Sequence, residues 1–135
     1  MEKYEVFDRV VLVILEGPQV TDAEIAQLNG LTMLRGLYLS NTSVTDAGLT
    51  GLSEMPNLEG LYLDHTAVTD SGLAHLAKST SISCLDVSHT AVTDAGMAHL
   101  TAMTGLRELN LQGTEVGNKA YQELRFALPD CKIHP

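Results

Sequence analysis

Two histidines in this chain stand beside carboxylates at a repeated spacing. Asp64-His65 is followed 24 residues later by Ser88-His89, with Asp86 two positions before the serine. Two imidazoles and a carboxylate can hold zinc at about 2.0–2.2 Å, and serine, histidine and aspartate together are the components of nucleophilic hydrolysis. A zinc site around His65, His89, Asp64 and Asp86, conceivably catalytic, is therefore one reading. Against it, His75 and His99 also stand 24 residues apart, so the chain's template rather than a ligand set explains where histidine falls. The sequence has no G-x-S-x-G, H-E-x-x-H, Walker A or G-x-G-x-x-G stretch, each of which would bring a mechanism with it. The expectation is a protein that is not an enzyme and needs no cofactor.

The template itself is plain. Val20, Val44, Val68, Val92 and Val116 are spaced by 24 residues, and a fixed period of about 20–50 residues marks a solenoid whose units bury their apolar faces against neighbours. Leu34, Leu37 and Leu39 read L-x-x-L-x-L and lead to Thr42. The same frame returns as Leu58, Leu61, Leu63, Thr66, then Ile82, Leu85, Val87, Thr90, then Leu106, Leu109, Leu111, Thr114. Its alternation predicts a strand with one buried face. After each of the first four valines comes Thr-Asp, then apolar pairs three apart: Ile25 and Leu28, Leu49 and Leu52, Leu73 and Leu76, Met97 and Leu100. That spacing predicts a short helix, with Thr-Asp as its N-cap and Thr21 with Glu24 as a capping box.

These residues, L-x-x-L-x-L-x-x-T-x-V-T-D-x-G-L-x-x-L, resemble a leucine-rich repeat, and are most similar to the cysteine-containing type found in F-box-associated substrate receptors. Thr42, Thr66, Thr90 and Thr114 stand where that type has asparagine or cysteine, a variant familiar from bacterial repeat proteins. The resemblance runs from Val10 to Ile133. It implies an α/β fold: a right-handed horseshoe segment with a parallel sheet on the concave face and short helices on the convex face. Threonine in the variant position is expected to turn its hydroxyl toward the turn backbone and its methyl inward.

Residues 1–135 read as one domain: an N-terminal cap with a degenerate repeat over 1–19, four core repeats over 20–115 and a capping repeat over 116–135. Tyr4 and Phe7 fall where a capping helix would present apolar groups, and Tyr121, Leu124 and Phe126 are expected to cover the far end. Ser79 stands where neighbouring repeats have Met55 and Met103, which predicts a locally weak return segment. With 17 acidic residues against 8 Lys plus Arg, the net charge is −9. An acidic chain without a basic stripe is a poor partner for phosphate backbones, so no nucleic acid is expected. The opening MEKYEVFDRVVLVIL has too short an apolar run for a signal peptide or a membrane span. A cytoplasmic protein is the expectation, and Cys84 and Cys131 are expected to be free thiols.

What remains for function is the set of side chains the frame leaves pointing outward. Leu12, Ile14, Tyr38 and Tyr62 form an apolar column, with Gly36 and Gly60 beside the tyrosines; Asp64, His65, Asp86, His89 and Asn110 continue it as a polar one. Tyrosine is enriched where binding energy concentrates. The leading expectation is a recognition module that holds a protein or peptide along its concave face. The alternatives are the zinc site above and a structural spacer inside a larger protein.

Overall fold

The computed structural model describes residues 11–135; Tyr4, Phe7 and Val10, and with them the N-terminal cap, lie outside the described residues. Strands β1 (Leu12–Ile14), β2 (Gly36–Tyr38), β3 (Gly60–Tyr62), β4 (Cys84–Asp86), β5 (Glu108–Asn110) and β6 (Lys132–His134) make one sheet in sequence order. All neighbours are parallel, and each residue pairs with the one 24 positions on, Val13 with Leu37 and Leu61 with Leu85. The period of the sequence is thus the register of the sheet.

Behind the sheet run α1 (Asp22–Ala26), α2 (Asp70–Leu76), α3 (Asp94–Leu100) and α4 (Asn118–Ala127). The second repeat departs from this pattern, with two 3-10 turns at Asp46–Leu49 and Leu52–Glu54. Thr50-Gly51 stands there in place of Ala74-His75 and Ala98-His99. Glycine in a helix interior costs about 1 kcal/mol relative to alanine; α2 and α3 each tolerate one, Gly72 and Gly96, whereas the second repeat carries two, Gly48 and Gly51.

Between sheet and helices lies one continuous core. Val13, Leu37, Leu61, Leu85 and Leu109 face it from mid-strand, and the frame residues Leu34, Leu58, Ile82 and Leu106 close it from the return segments. The alternation predicted for the strands is what places these leucines inside and their neighbours outside.

Two polar devices hold the coils, one within each turn and one between neighbouring repeats. Each frame threonine donates its hydroxyl to the carbonyl three residues back: Thr42 to Leu39 at 2.7 Å, Thr66 to Leu63 at 2.7 Å, Thr90 to Val87 at 2.6 Å and Thr114 to Leu111 at 2.6 Å. The hydroxyl is satisfied within the turn, as expected of this variant. The second device was not foreseen from the Thr-Asp pair. Threonine caps its own helix in α1, α2 and α3, and Thr21 with Glu24 forms the capping box. Aspartate instead reaches across to the next repeat. Asp22 accepts from the backbone N–H and hydroxyl of Thr45, at 2.8 and 2.6 Å, and Asp70 does the same for Thr93 at the same distances. Asp46 holds Thr69 in the same way. At Asp94 the ladder meets Gly117, which offers only its N–H, at 2.6 Å.

Glycine in T-D-x-G follows from this ladder. A Cβ on Gly72 would stand 2.6 Å from Asp46 Oδ1, and one on Gly96 2.4 Å from Asp70 Oδ1. The aspartate can cross only because the next repeat has no side chain there.

The return segment at Ser79 is held differently from its neighbours, and at the C-terminal end one expectation is corrected. Ser79 is buried, but its Oγ accepts the backbone N–H groups of Ser81 and Ile82 at 3.3 and 3.1 Å. It is a cap for the return turn, which methionine could not supply. In α4, Ala120, Leu124 and then Leu128 stack inward at a spacing of four residues, so Phe126 faces out and is 78% exposed. It covers no core layer. Tyr121 is half-buried beneath the Arg125 guanidinium, 5.8 Å from the ring centroid.

Candidate functional site: the open face of the sheet

Alternation leaves one side chain in two pointing away from the core, and with strands in register these stack into rows. One row runs Ile14, Tyr38, Tyr62, Asp86, Asn110, His134, and the row beside it Leu12, Gly36, Gly60, Cys84, Glu108, Lys132. The open face is therefore apolar over β1 to β3 and polar over β4 to β6.

In the apolar half, Leu12 and Ile14 are about half exposed, at 48% and 51%. The rings of Tyr38 and Tyr62 stack with centroids 4.2 Å apart and planes 9° from parallel. Gly36 and Gly60 leave little open room beside the tyrosines. A Cβ on Gly36 would come within 2.9 Å of Leu12 Cδ1, and one on Gly60 within 3.1 Å of Tyr62 Cε2, so the neighbouring side chains already lean over the glycines. What results is a shallow hollow of about 380 Å³ bordered by Leu12, Tyr38, Tyr62 and Cys84. The Tyr62 hydroxyl lies 3.4 Å from Cys84 Sγ. That contact, then burial and the Tyr38 hydroxyl, push the phenol well above its ordinary pKa, and Tyr62 is neutral at physiological pH.

The rim carries one compensated pair. Arg35 Nε and Nη2 donate to Glu59 at 3.0 and 3.1 Å, and this carboxylate raises the guanidinium pKa further. Cys84 and Cys131 are both free, as expected.

In the polar half, a second hollow of about 210 Å³ is lined by Tyr62, Asp86, Glu108, Asn110, Gln112 and His134 among others. Ser88 N–H and Oγ both donate to Asp86 Oδ1, at 2.9 and 2.6 Å. Glu108 Oε2 lies 3.0 Å from His134 Nε2. At Asp64, burial would raise the pKa, but hydrogen bonds from Ser40 and His65 outweigh it and hold the carboxyl below its ordinary value.

His65 and His89 are not strand residues. With Gly17, Asn41 and Gly113 they occupy the turn where each coil leaves the sheet, at φ of 58° and 54°. Side chains other than glycine enter this left-handed region at a cost of roughly 1–2 kcal/mol. Their rings are exposed and stack on each other, 4.5 Å apart and 18° from parallel. An imidazole lone pair lies in the ring plane, so near-parallel stacked rings do not aim their nitrogens at one point. Asp64 reaches His65 at 3.2 Å, but Asp86 is turned to Ser88. Among the described residues no group of three or more His, Cys, Asp or Glu is placed to hold a metal ion. Ser88 is only 5% exposed and bonds to Asp86 instead of a histidine, so these residues do not form a Ser-His-Asp relay. Signals for the turn row existed in the sequence: glycine and asparagine at the equivalent positions mark a left-handed residue.

Sheet, register, turn row and core together define a leucine-rich-repeat solenoid. Residues 78–100 match the family model described as a leucine-rich repeat. Among solved structures, a leucine-rich-repeat protein of Leptospira interrogans matches with a TM-score of 0.59 and 21% identity, over 81% of this chain. The chain spans 27% of that protein. Internalin C2 of Listeria monocytogenes matches with a TM-score of 0.54 and 17% identity, over 92% of this chain and 70% of that one. At these identities the likeness is one of fold. No curated relative matches the chain. Among the described residues no helix is long and apolar enough to cross a membrane.

Proposed function

We propose that this chain is a non-enzymatic recognition module that holds a protein or peptide along the open face of its sheet. The observation that carries this reading is the Tyr38–Tyr62 stack, 4.2 Å between centroids, flanked by half-exposed Leu12 and Ile14. None of these four side chains is consumed by the core. Stiff aromatic groups with an apolar face and a polar tip lose little entropy on binding. Tyr62 keeps a neutral hydroxyl beside Cys84, so the stack can be covered by a partner without desolvating a charge.

A peptide library displayed on phage and selected on the immobilised protein tests this. Binders are expected to lose about 30-fold in affinity on Tyr62→Ala, the effect of removing a central aromatic anchor. They should be indifferent to Lys78→Ala on the helix side. Binders that ignore Tyr62→Ala, or an empty selection, would refute the proposal.

A further inference from the structure

The two hollows share Tyr62 and Cys84, so a ligand lying across the strands meets both. The second is acidic. Asp86 and Glu108 each commit one carboxylate oxygen, to Ser88 and to His134, and their other oxygens accept nothing among the described residues. Of the cations nearby, Arg35 is held by Glu59 and Arg107 turns its Nη1 back to the carbonyls of Thr104 and Leu106. Lys132 pairs in register with Glu108, with no ion pair between them. The lining of the second hollow thus sets two carboxylates, Asp86 and Glu108, against one imidazole, His134, beside an apolar half with no cover among the described residues.

Resting on the recognition reading above, we propose that the face takes an extended peptide segment carrying an apolar side chain and, three residues away, a lysine or arginine. The apolar group lies against Leu12, Tyr38 and Tyr62, and the cation between Asp86 and Glu108. Spacing follows from the sheet. The stack is centred between β2 and β3 and the carboxylates between β4 and β5, two strand spacings or roughly 9.5 Å apart. Three residues of extended chain cover about 10 Å. A helix needs about seven residues for the same distance, so the selected spacing separates the two occupants.

The same displayed library reads this out by sequence. Binders sensitive to Tyr62→Ala should carry an apolar residue and a lysine or arginine three positions apart. Synthetic copies should bind about fivefold more weakly to Asp86→Asn, and lose affinity as salt rises from about 0.05 to 0.5 M. A peptide with its cation changed to glutamate should fail on the native protein and recover on Glu108→Lys, a surface change whose folding is to be checked by circular dichroism. Peptides that need Tyr62 but carry no cation, carry an acid, or place the cation seven residues away would overturn this inference and leave the recognition reading intact. Binders indifferent to Tyr62 would sink both.

Discussion

Replacing Asp70 by alanine isolates the ladder that joins one coil to the next. The carboxylate accepts the N–H of Thr93 at 2.8 Å and its hydroxyl at 2.6 Å, and both residues are half-buried. A hydrogen bond to a charged group contributes about 1.5–3 kcal/mol; water can reach this site, so the pair together contributes about 2 kcal/mol. Asp70 also sits in the first turn of α2, where a negative charge adds about 0.5 kcal/mol. The expected loss is about 2.5 kcal/mol, or roughly 10 °C in Tm for a chain of this size. Asp94→Ala supplies the internal control: it has the same place in α3 but meets only the Gly117 N–H, so its cost should be about half. Urea unfolding with m held constant measures both, and hydrogen exchange at the Thr93 amide locates the effect. Equal losses at Asp70 and Asp94, or an unchanged Thr93 amide, would refute the reasoning.

Other substitutions probe the remaining devices. Gly72→Ala drives a methyl to 2.6 Å from Asp46 Oδ1 and 2.9 Å from Leu49 Cδ1, and should cost about 1–3 kcal/mol in urea unfolding. Gly30→Ala meets nothing within 4 Å and should be neutral or stabilising by about 0.5 kcal/mol. Ser79→Ala removes the acceptor for Ser81 and Ile82 N–H; about 1 kcal/mol should be lost, with faster exchange at Ile82. Asp64 has a depressed folded pKa, so its contribution is present above the ordinary carboxyl value and disappears as pH falls through the lowered one. Ser40→Ala removes the 2.5 Å hydrogen bond to its Oδ1; the Asp64 titration followed by NMR should move upward and the acid dependence of stability should flatten.

Much of the architecture was legible because period and register are one quantity. Five valines spaced by 24 residues fix which strand residues are neighbours, and alternation then decides that Leu61 is inside and Tyr62 outside. The Thr90 hydroxyl was readable for the same reason, since its acceptor lies three residues away in the same turn. Asp70 was not, because its partner lies 23 residues on and is brought near only by the pitch of the coil. Gly51, added to the Gly48 that the next two repeats match with Gly72 and Gly96, marks the second repeat as the one that breaks into 3-10 turns. Glycine and asparagine at the positions equivalent to His65 and His89 mark a left-handed turn, which sets the two histidines apart from the outward strand groups. Aromatic character alone does not make Phe126 a cap, because its offset of two residues from Leu124 turns it to solvent.

The central claim is that the sheet's open face, not its helical side, does the binding. NMR chemical-shift mapping of a selected peptide onto the labelled protein tests it most directly. The account predicts perturbations at Leu12, Tyr38, Tyr62, Asp86 and Glu108, with Ala74, His75 and Lys78 silent; shifts confined to those residues of the helical side would contradict it.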